Sequence, residues 1–289
     1  MKKISGKSYA RITLALDIIK KHTEGRFNGF HELGIIKHQI DLFDDIFISE
    51  SSDLKIICDD PNVPVDGSNI CWKVVALLKE EFNIDRNVCI EIKKNIPAQG
   101  GLAGGSSNAA TTFNLLNKFW NLNLSFDELV KFGQKVGMDV PFFFVGGTAF
   151  DSESGGVLRK VETNAKFNFV LLLPDFGVST AEAYKNIDYD QIAKNIKQTA
   201  LMEKSLLNYK KEDFNSNNFA QLMHNDFENS VFKYEPKLQN LKEEMINLGV
   251  EGVVMSGSGS TMIGLVENKE KTLKICEEVS CRAIAVESL

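Results

Sequence analysis

Four glycines in six residues, Gly100, Gly101, Gly104 and Gly105, run straight into Ser106, Ser107 and Asn108, and this constrains the chain more than any other feature. They separate an alternating run that reads as a strand (88–94) from an apolar-periodic stretch that reads as a helix (about 106–120). Glycine lets a backbone turn sharply and approach a ligand closely. A helix start adds unpaired N–H groups at the positive end of its dipole. Together these are a physical recipe for holding phosphates, and they favour that reading over a turn that merely joins strand to helix. Two familiar phosphate motifs do not fit. A Walker A loop needs Gly-Lys-Ser/Thr, but no lysine lies between Ala98 and Thr112. The dinucleotide pattern GxGxxG does not match glycines spaced GGxxGG in mid-chain.

Composition narrows the class of partner. The chain has 289 residues, 43% of them apolar, enough for a sizeable core in two domains or one large α/β unit. Its 33 Lys+Arg against 39 Asp+Glu give a net charge of −6 without a basic run, which argues against nucleic acid or an anionic membrane as partner. The apolar runs 169–173 and 140–145 fall far short of the roughly 20 residues that span a bilayer. The opening MKKISGKSYARITLAL has neither a sustained apolar region nor a small-residue cleavage site, so a cytoplasmic chain is expected. The five cysteines are scattered singly, as in a reducing compartment, and the four histidines show no HExxH or Cys/His pairing. A transition-metal site is not expected.

Alternation over 8–16 and 46–57 reads as strands, and Asp66, Gly67, Ser68 and Asn69 read as the start of a helix over ICWKVVALLKEEF. Ser125 with Glu128 makes a capping box. Farther on, 167–174 reads as a buried strand, with Ser179 or Thr180 capping a helix that runs through Tyr184. Residues 190–248 are mostly helical in pattern. A strand, a glycine loop and a strand follow in GVVMSGSGSTMIGLVE, then a helix over 269–279 and a last strand over 282–286. Strands follow one another directly and mix with helices in both halves, which favours α+β architecture over a doubly wound parallel sheet. The boundary is expected near 150–165, with a late strand free to return to the first half.

The string PAQGGLAGGSSNAA resembles the phosphate loop of the GHMP kinases, and two other segments sit where that family has its remaining motifs: KSYARITLALDI near the start and VVMSGSGSTMIGL near the end. GFHEL at 29–33, GMDVPFF at 137–143 and PDFGVSTAEAY at 174–184 are similar to the branch that phosphorylates a cytidyl diphosphate-linked methylerythritol. The resemblance implies a two-lobed α+β fold, with an ATP-binding N-terminal domain over 1–160 and a C-terminal domain over 161–289. It implies ATP and Mg²⁺ as cofactors, a small-molecule alcohol as partner, and a monomer or homodimer. The reaction implied is ATP-dependent phosphorylation of a tertiary hydroxyl in non-mevalonate isoprenoid precursor synthesis.

The same resemblance assigns roles to residues. Asp139 would accept or orient the proton of the acceptor hydroxyl, although an Asp before Val-Pro also suits a helix N-cap. Arg11 and Thr13 stand where the family has lysine and asparagine. Arg11 keeps the positive charge beside the aspartate but cannot act as a proton donor at neutral pH. Its plain alternative is an exposed strand residue. Phe30, His31 and Tyr184 would hold the cytosine by stacking and by hydrogen bonds to its polar edge, the alternatives being a turn histidine and core aromatics. The stretch 20–28 is a few residues longer than the family's turn, with Asn28 in place of its usual aspartate. For the nucleotide, Ser106 and Ser107 would meet phosphates or Mg²⁺, with Ser106 the metal contact through ATP. Gly100, Gly101, Gly104 and Gly105 would cradle the phosphates. Asn69 with Ile70 would lie near the adenine, and Lys94 would border the nucleotide. Thr13, Thr180, Gly257 and Ser258 would contact the substrate, and Gly257, Ser258 and Gly259 would form the loop that shapes the phosphoryl-transfer pocket, an SGSG run being otherwise a flexible turn. Two rivals remain: a GHMP kinase for another alcohol, such as homoserine or a phosphomevalonate-like acid, and a nucleotide-binding protein without kinase activity.

Overall fold

A computed structural model describes residues 3–25, 27–98, 100–154, 156–192, 197–210, 212 and 215–289. Gln99 of the glycine-rich loop, Arg26 of the turn at 20–28 and residues 193–196 of the helical region lie outside the described residues. The chain divides into two compact units that are discontinuous in sequence. The first comprises Met1–Ala10, Leu42–Ala98 and Ala103–Val145; the second comprises Arg11–Asp41, Gln99–Leu102 and Gly146–Leu289.

Two long strands pass from one unit to the other, β1 (Lys3–Lys21) and β2 (His31–Ser51). In the first unit β2 pairs antiparallel with β4 (Asn87–Lys93), and β3 (Lys55–Cys58) lies parallel to β4. The run 46–57, expected as one strand, is therefore the end of β2 and a separate β3, broken at 52–54. Helix α1 (Ile70–Phe82) starts where expected, because the Asn69 side chain accepts from the Cys71 N–H at 2.8 Å. Helix α2 (Gly104–Trp120) begins two residues earlier than the sequence suggests, after Ala103 in the left-handed conformation at φ 54°. Helix α3 (Phe126–Val136) carries the expected capping box of Ser125 and Glu128, and the short α4 is Phe142–Val145. The core of this unit gathers Ile46, Ile48, Ile90 and Ile92 from the strands with Val74, Leu78, Phe113 and Leu116 from the helices, all buried.

In the second unit β5 (Thr148–Glu153) pairs with the first half of β2 and with β6 (Leu158–Lys160). A separate antiparallel sheet has the order β11-β7-β10-β9. Its strands are β7 (Asn168–Leu172), β9 (Gly252–Met255), β10 (Met262–Val266) and β11 (Ala283–Glu287). The helices are α5 (Thr180–Lys185, with Ser179 as its cap), α6 (Tyr189–Ile192), α7 (Gln198–Leu207), α8 (Ser216–Ala220), α9 (Glu228–Tyr234), α10 (Pro236–Asn247) and α11 (Lys269–Glu278). The expected helical pattern over 190–248 is interrupted by a two-residue strand, β8 (His224–Asn225), which lies parallel to β1 with Leu16 opposite Asn225. Among the described residues no helix is long and apolar enough to cross a membrane.

Candidate functional site

The first unit holds the helix-start half of the glycine loop. The first intrahelical bond at the N-terminus of α2 runs from Ser107 N–H to Ala103 C=O at 3.0 Å, and no side chain caps this end. The N–H groups of Gly104, Gly105 and Ser106 thus precede the helical ladder, the arrangement that suits an anion. Gly104 is closely packed: a Cβ there would lie 2.9 Å from Ile96 Cγ2 and 3.3 Å from Lys94 Nζ, so these side chains would have to shift. This places the Lys94 ammonium beside the first turn of α2. Its position is fixed by Asp44, whose Oδ2 accepts from Lys94 Nζ at 2.5 Å and from Asn108 Nδ2 at 2.8 Å. Asp44 Oδ1 accepts the N–H groups of Asn95 and Ile96, both at 2.8 Å. Sequence reasoning missed Asp44, because its partners lie more than 45 positions away.

The two serines of the loop differ. Ser107 donates to the Tyr9 carbonyl at 2.6 Å and accepts from the Ser8 hydroxyl at 2.8 Å, so its hydroxyl is committed inside the unit. Ser106 is half-buried and remains the serine suited to phosphate or Mg²⁺. Asn69 is likewise committed: besides capping α1 it donates from Nδ2 to the Pro64 carbonyl at 2.6 Å and is 4% exposed. Its neighbour Ile70 is the better-placed residue. The Ile70 side chain lies 3.8 Å from where a Cβ on Gly105 would sit and 3.6 Å from the same point on Gly137. Ile70 is therefore bordered by the start of α2 and by the turn that carries Asp139. Asp139 is half-buried in that turn, ahead of α4, which begins only at Phe142.

The second unit gathers three sequence-remote segments around Gly101. Arg11 is 7% exposed, so it is no exposed strand residue, and its Nη1 donates to the Gly101 carbonyl at 2.7 Å. The same carbonyl accepts from the Ser256 hydroxyl at 2.8 Å. Gly101 has φ +74°, and a Cβ there would sit 2.3 Å from the Ser256 carbonyl oxygen, which no side chain tolerates. A Cβ on Gly257 would come within 3.9 Å of Arg11 Nη1. The buried Thr13 hydroxyl lies 3.4 Å from Arg11 Nη1, and Thr180 Oγ1 pairs with Ser258 Oγ at 2.8 Å. The SGSG segment is thus anchored rather than a loose turn. Asn225 supplies a further anchor, donating from Nδ2 to the carbonyls of Met255 and Gly257 at 2.7 Å each. No spacing in the sequence pointed to Asn225.

An aromatic cluster also belongs to the second unit. The His31 and Tyr184 rings have centroids 4.7 Å apart, and Tyr184 meets Phe227 edge-on at 4.8 Å. Phe30 is 58% exposed, so it is not a core aromatic. The His31 carbonyl accepts from Ser154 Oγ at 2.6 Å. Burial, followed by the charges of Lys21 and His22, lowers the His31 pKa, which leaves the ring neutral at neutral pH. The sequence reading did not include Tyr189, whose hydroxyl lies 2.6 Å from His31 Nε2.

Among the described residues, one group of His, Cys, Asp and Glu side chains has ligand atoms close enough for a metal ion: Asp17, His224 and Asp226, all within 4.8 Å of one another. The carboxylates are already engaged. Asp17 accepts from the Gln198 and Thr199 N–H groups and the Thr199 hydroxyl, which caps α7 from a distance. Asp226 accepts from the Ile18 N–H at 2.7 Å and meets His224 Nε2 at 2.8 Å. Burial alone would lower the His224 pKa, but the Asp226 hydrogen bond and the charges of Asp226, Asp17 and Glu228 turn it upward. This donor set reads as a structural tie.

Residues 69–147 match the GHMP kinases N terminal domain, and residues 185–285 match the GHMP kinases C terminal domain. The chain is 38% identical over 267 residues to a 4-diphosphocytidyl-2-C-methyl-D-erythritol kinase of Clostridium perfringens, covering 91% of this chain and 88% of that one. It is 36% identical over 276 residues to the protein of the same name from Geobacillus kaustophilus, covering 94% and 91%. In fold it is similar to a crystal structure of 4-(cytidine 5'-diphospho)-2C-methyl-D-erythritol kinase, with a TM-score of 0.81 at 23% identity over 99% of this chain and 100% of that one.

Proposed function

Since the chain belongs to the GHMP kinases, and among them to the 4-diphosphocytidyl-2-C-methyl-D-erythritol kinases, it is an ATP-dependent small-molecule kinase, and we propose the following reaction and residue roles. The acceptor is the 2-hydroxyl of 4-diphosphocytidyl-2-C-methyl-D-erythritol, a precursor in non-mevalonate isoprenoid synthesis. ATP supplies the phosphoryl group, and Mg²⁺, bound with it, neutralises charge on the phosphates. The N–H groups at the start of α2 and the Lys94 ammonium hold the phosphates, and Ser106 serves the phosphates or the metal. Asp139 orients the acceptor hydroxyl and takes its proton. Arg11 offsets negative charge while its guanidinium keeps Gly101 in place, a fixed role in which a proton shuttle is not needed. Phe30, His31 and Tyr184 hold the cytosine, and Thr180 and Ser258 line the acceptor side. Phosphoryl transfer asks mainly for positioning, and the residues that position here are the buried, hydrogen-bonded ones.

The observation that carries this reading is the Gly101 junction, where Arg11 and Ser256 both donate to one carbonyl. All three motifs of the family thereby have a structural reason to occur together in one chain. Steady-state turnover of ATP with the cytidyl substrate, homoserine or a phosphomevalonate-like acid tests it. Wild type is expected to turn over the cytidyl substrate, and Asp139→Ala to lose about 10²- to 10⁴-fold in kcat, the range of a lost general base. Arg11→Lys keeps the charge but not the planar fork, and a loss of about tenfold in kcat/KM is expected. Phosphorylation of an acid alone, or full activity in Asp139→Ala, would overturn the assignment; binding without turnover that Arg11→Lys restores would favour the inactive reading.

A further inference from the structure

The Tyr189 hydroxyl and His31 Nε2 are 2.6 Å apart, and the two rings lie nearly parallel, with an interplanar angle of 14° and centroids 6.1 Å apart. Neutral imidazole has one N–H and one lone pair, and the partner of one nitrogen decides which nitrogen carries the hydrogen. Burial lowers the His31 pKa and raises that of the Tyr189 phenol, so both groups are neutral at physiological pH. A phenol O–H is a better donor than an imidazole N–H, and an imidazole nitrogen is a better acceptor than a phenol oxygen. The hydrogen bond therefore runs from Tyr189 to Nε2, and the ring's own hydrogen sits on Nδ1.

This choice of tautomer matters to a base. Along its pairing edge cytosine presents N3 and O2 as acceptors beside its amino group, whereas uracil presents N3–H as a donor. An Nδ1–H donor directed at N3 suits the first and opposes the second, since uracil accepts only at O2 and O4. We propose that Tyr189 is a positioning residue for base recognition: its hydroxyl holds His31 as the Nδ1–H tautomer, which accepts a cytidyl and disfavours a uridyl group on the substrate. Its ring also extends the aromatic surface that His31 and Tyr184 begin. The inference rests on the reading of His31 as a cytosine contact.

The test uses the full chain. Tyr189 is 44% exposed, so Tyr189→Phe removes one oxygen without disturbing a core. With the cytidyl substrate, the variant is expected to raise KM about 3- to 10-fold with kcat nearly unchanged, the worth of one neutral hydrogen bond. Its preference for the cytidyl substrate over the uridine diphosphate counterpart should narrow by a similar factor. Nitrogen-15 chemical shifts give a readout independent of turnover: His31 should be protonated at Nδ1 in wild type and shift toward Nε2 in Tyr189→Phe. His31→Ala separates the layers of the argument. If it raises KM for the cytidyl substrate while Tyr189→Phe changes neither KM, preference nor tautomer, Tyr189 has no such role. If both variants are silent in KM, the cytosine contact at His31 fails, and this inference fails with it.

Discussion

His38 shows how much one buried ring can set. It is 3% exposed, and both its nitrogens are occupied, Nδ1 with Thr148 Oγ1 and Nε2 with Ser288 Oγ, at 2.8 Å each. Burial, with a smaller push from Lys166, lowers its pKa from 6.5 to about 4. The folded chain thus binds this proton more weakly than the unfolded chain does, so stability rises with pH across the interval. His38 is neutral in both states well above pH 6.5, and its stabilising share is lost as pH falls from there toward 4. The full loss is about 3 kcal/mol. Urea unfolding from pH 7 to 4.5 should therefore show a steeper acid decline in wild type than in His38→Gln, which cannot titrate. Parallel declines would remove His38 as the cause. The same buried polar residues explain what the sequence concealed. Lys37, paired with Asp151 at 2.6 Å, His38 and the buried Asp44 interrupt the apolar alternation of β2, so its middle did not read as a strand. Each is satisfied by a partner at least 50 positions away, which no local pattern reveals.

Among the elements, those with local signals were legible and those built by distant partners were not. Helices α1 and α3 announced themselves because Asn69, Ser125 and Glu128 bond within three residues of their own positions. Helix α7 did not, because its cap is Asp17, 181 positions before Gln198. The same contrast divides the candidate site. The glycine loop, the SGSG segment, His31 and Asp139 lie in compact motifs, whereas Asp44, Asn225 and Tyr189 hold Lys94, Gly257 and His31 from far along the chain. Asn69 gives a direct test at this scale, since the structure commits its side-chain oxygen to capping α1 and its Nδ2 to the Pro64 carbonyl. Asn69→Ala should cost about 1–3 kcal/mol in urea unfolding, the sum of a lost cap and an unsatisfied Pro64 carbonyl. KM for ATP should stay within about threefold, because less than one net hydrogen bond is at stake. An unchanged unfolding midpoint with a sharply raised KM would instead make Asn69 a nucleotide contact.

For the whole molecule, the separation of stability from metal dependence is the sharpest consequence of the hydrogen-bond pattern. Among the described residues, the one group of His, Cys, Asp and Glu side chains close enough to hold an ion is Asp17, His224 and Asp226. All four of its carboxylate oxygens accept hydrogen bonds or meet His224, and these bonds join β1 to α7 and to the segment after β8. A cation there would have to compete with backbone donors for three of these oxygens and with the His224 ring for the fourth. The Mg²⁺ proposed for catalysis is therefore expected to arrive with the nucleotide and not to sit in this cluster. Adding a chelator should abolish turnover while leaving the melting temperature of the ligand-free chain unchanged. Saturating Mg²⁺–ATP, at about 100 times its Kd, should stabilise the chain by about 2.7 kcal/mol through binding to the folded state alone. Chelator should reduce that gain, since the phosphates then lose the counter-charge that Mg²⁺ brings with them. A melting temperature that falls when chelator is added to the ligand-free chain would mean that an ion occupies the Asp17 cluster and holds these elements together, and the tie would have to be reassigned as a structural metal site.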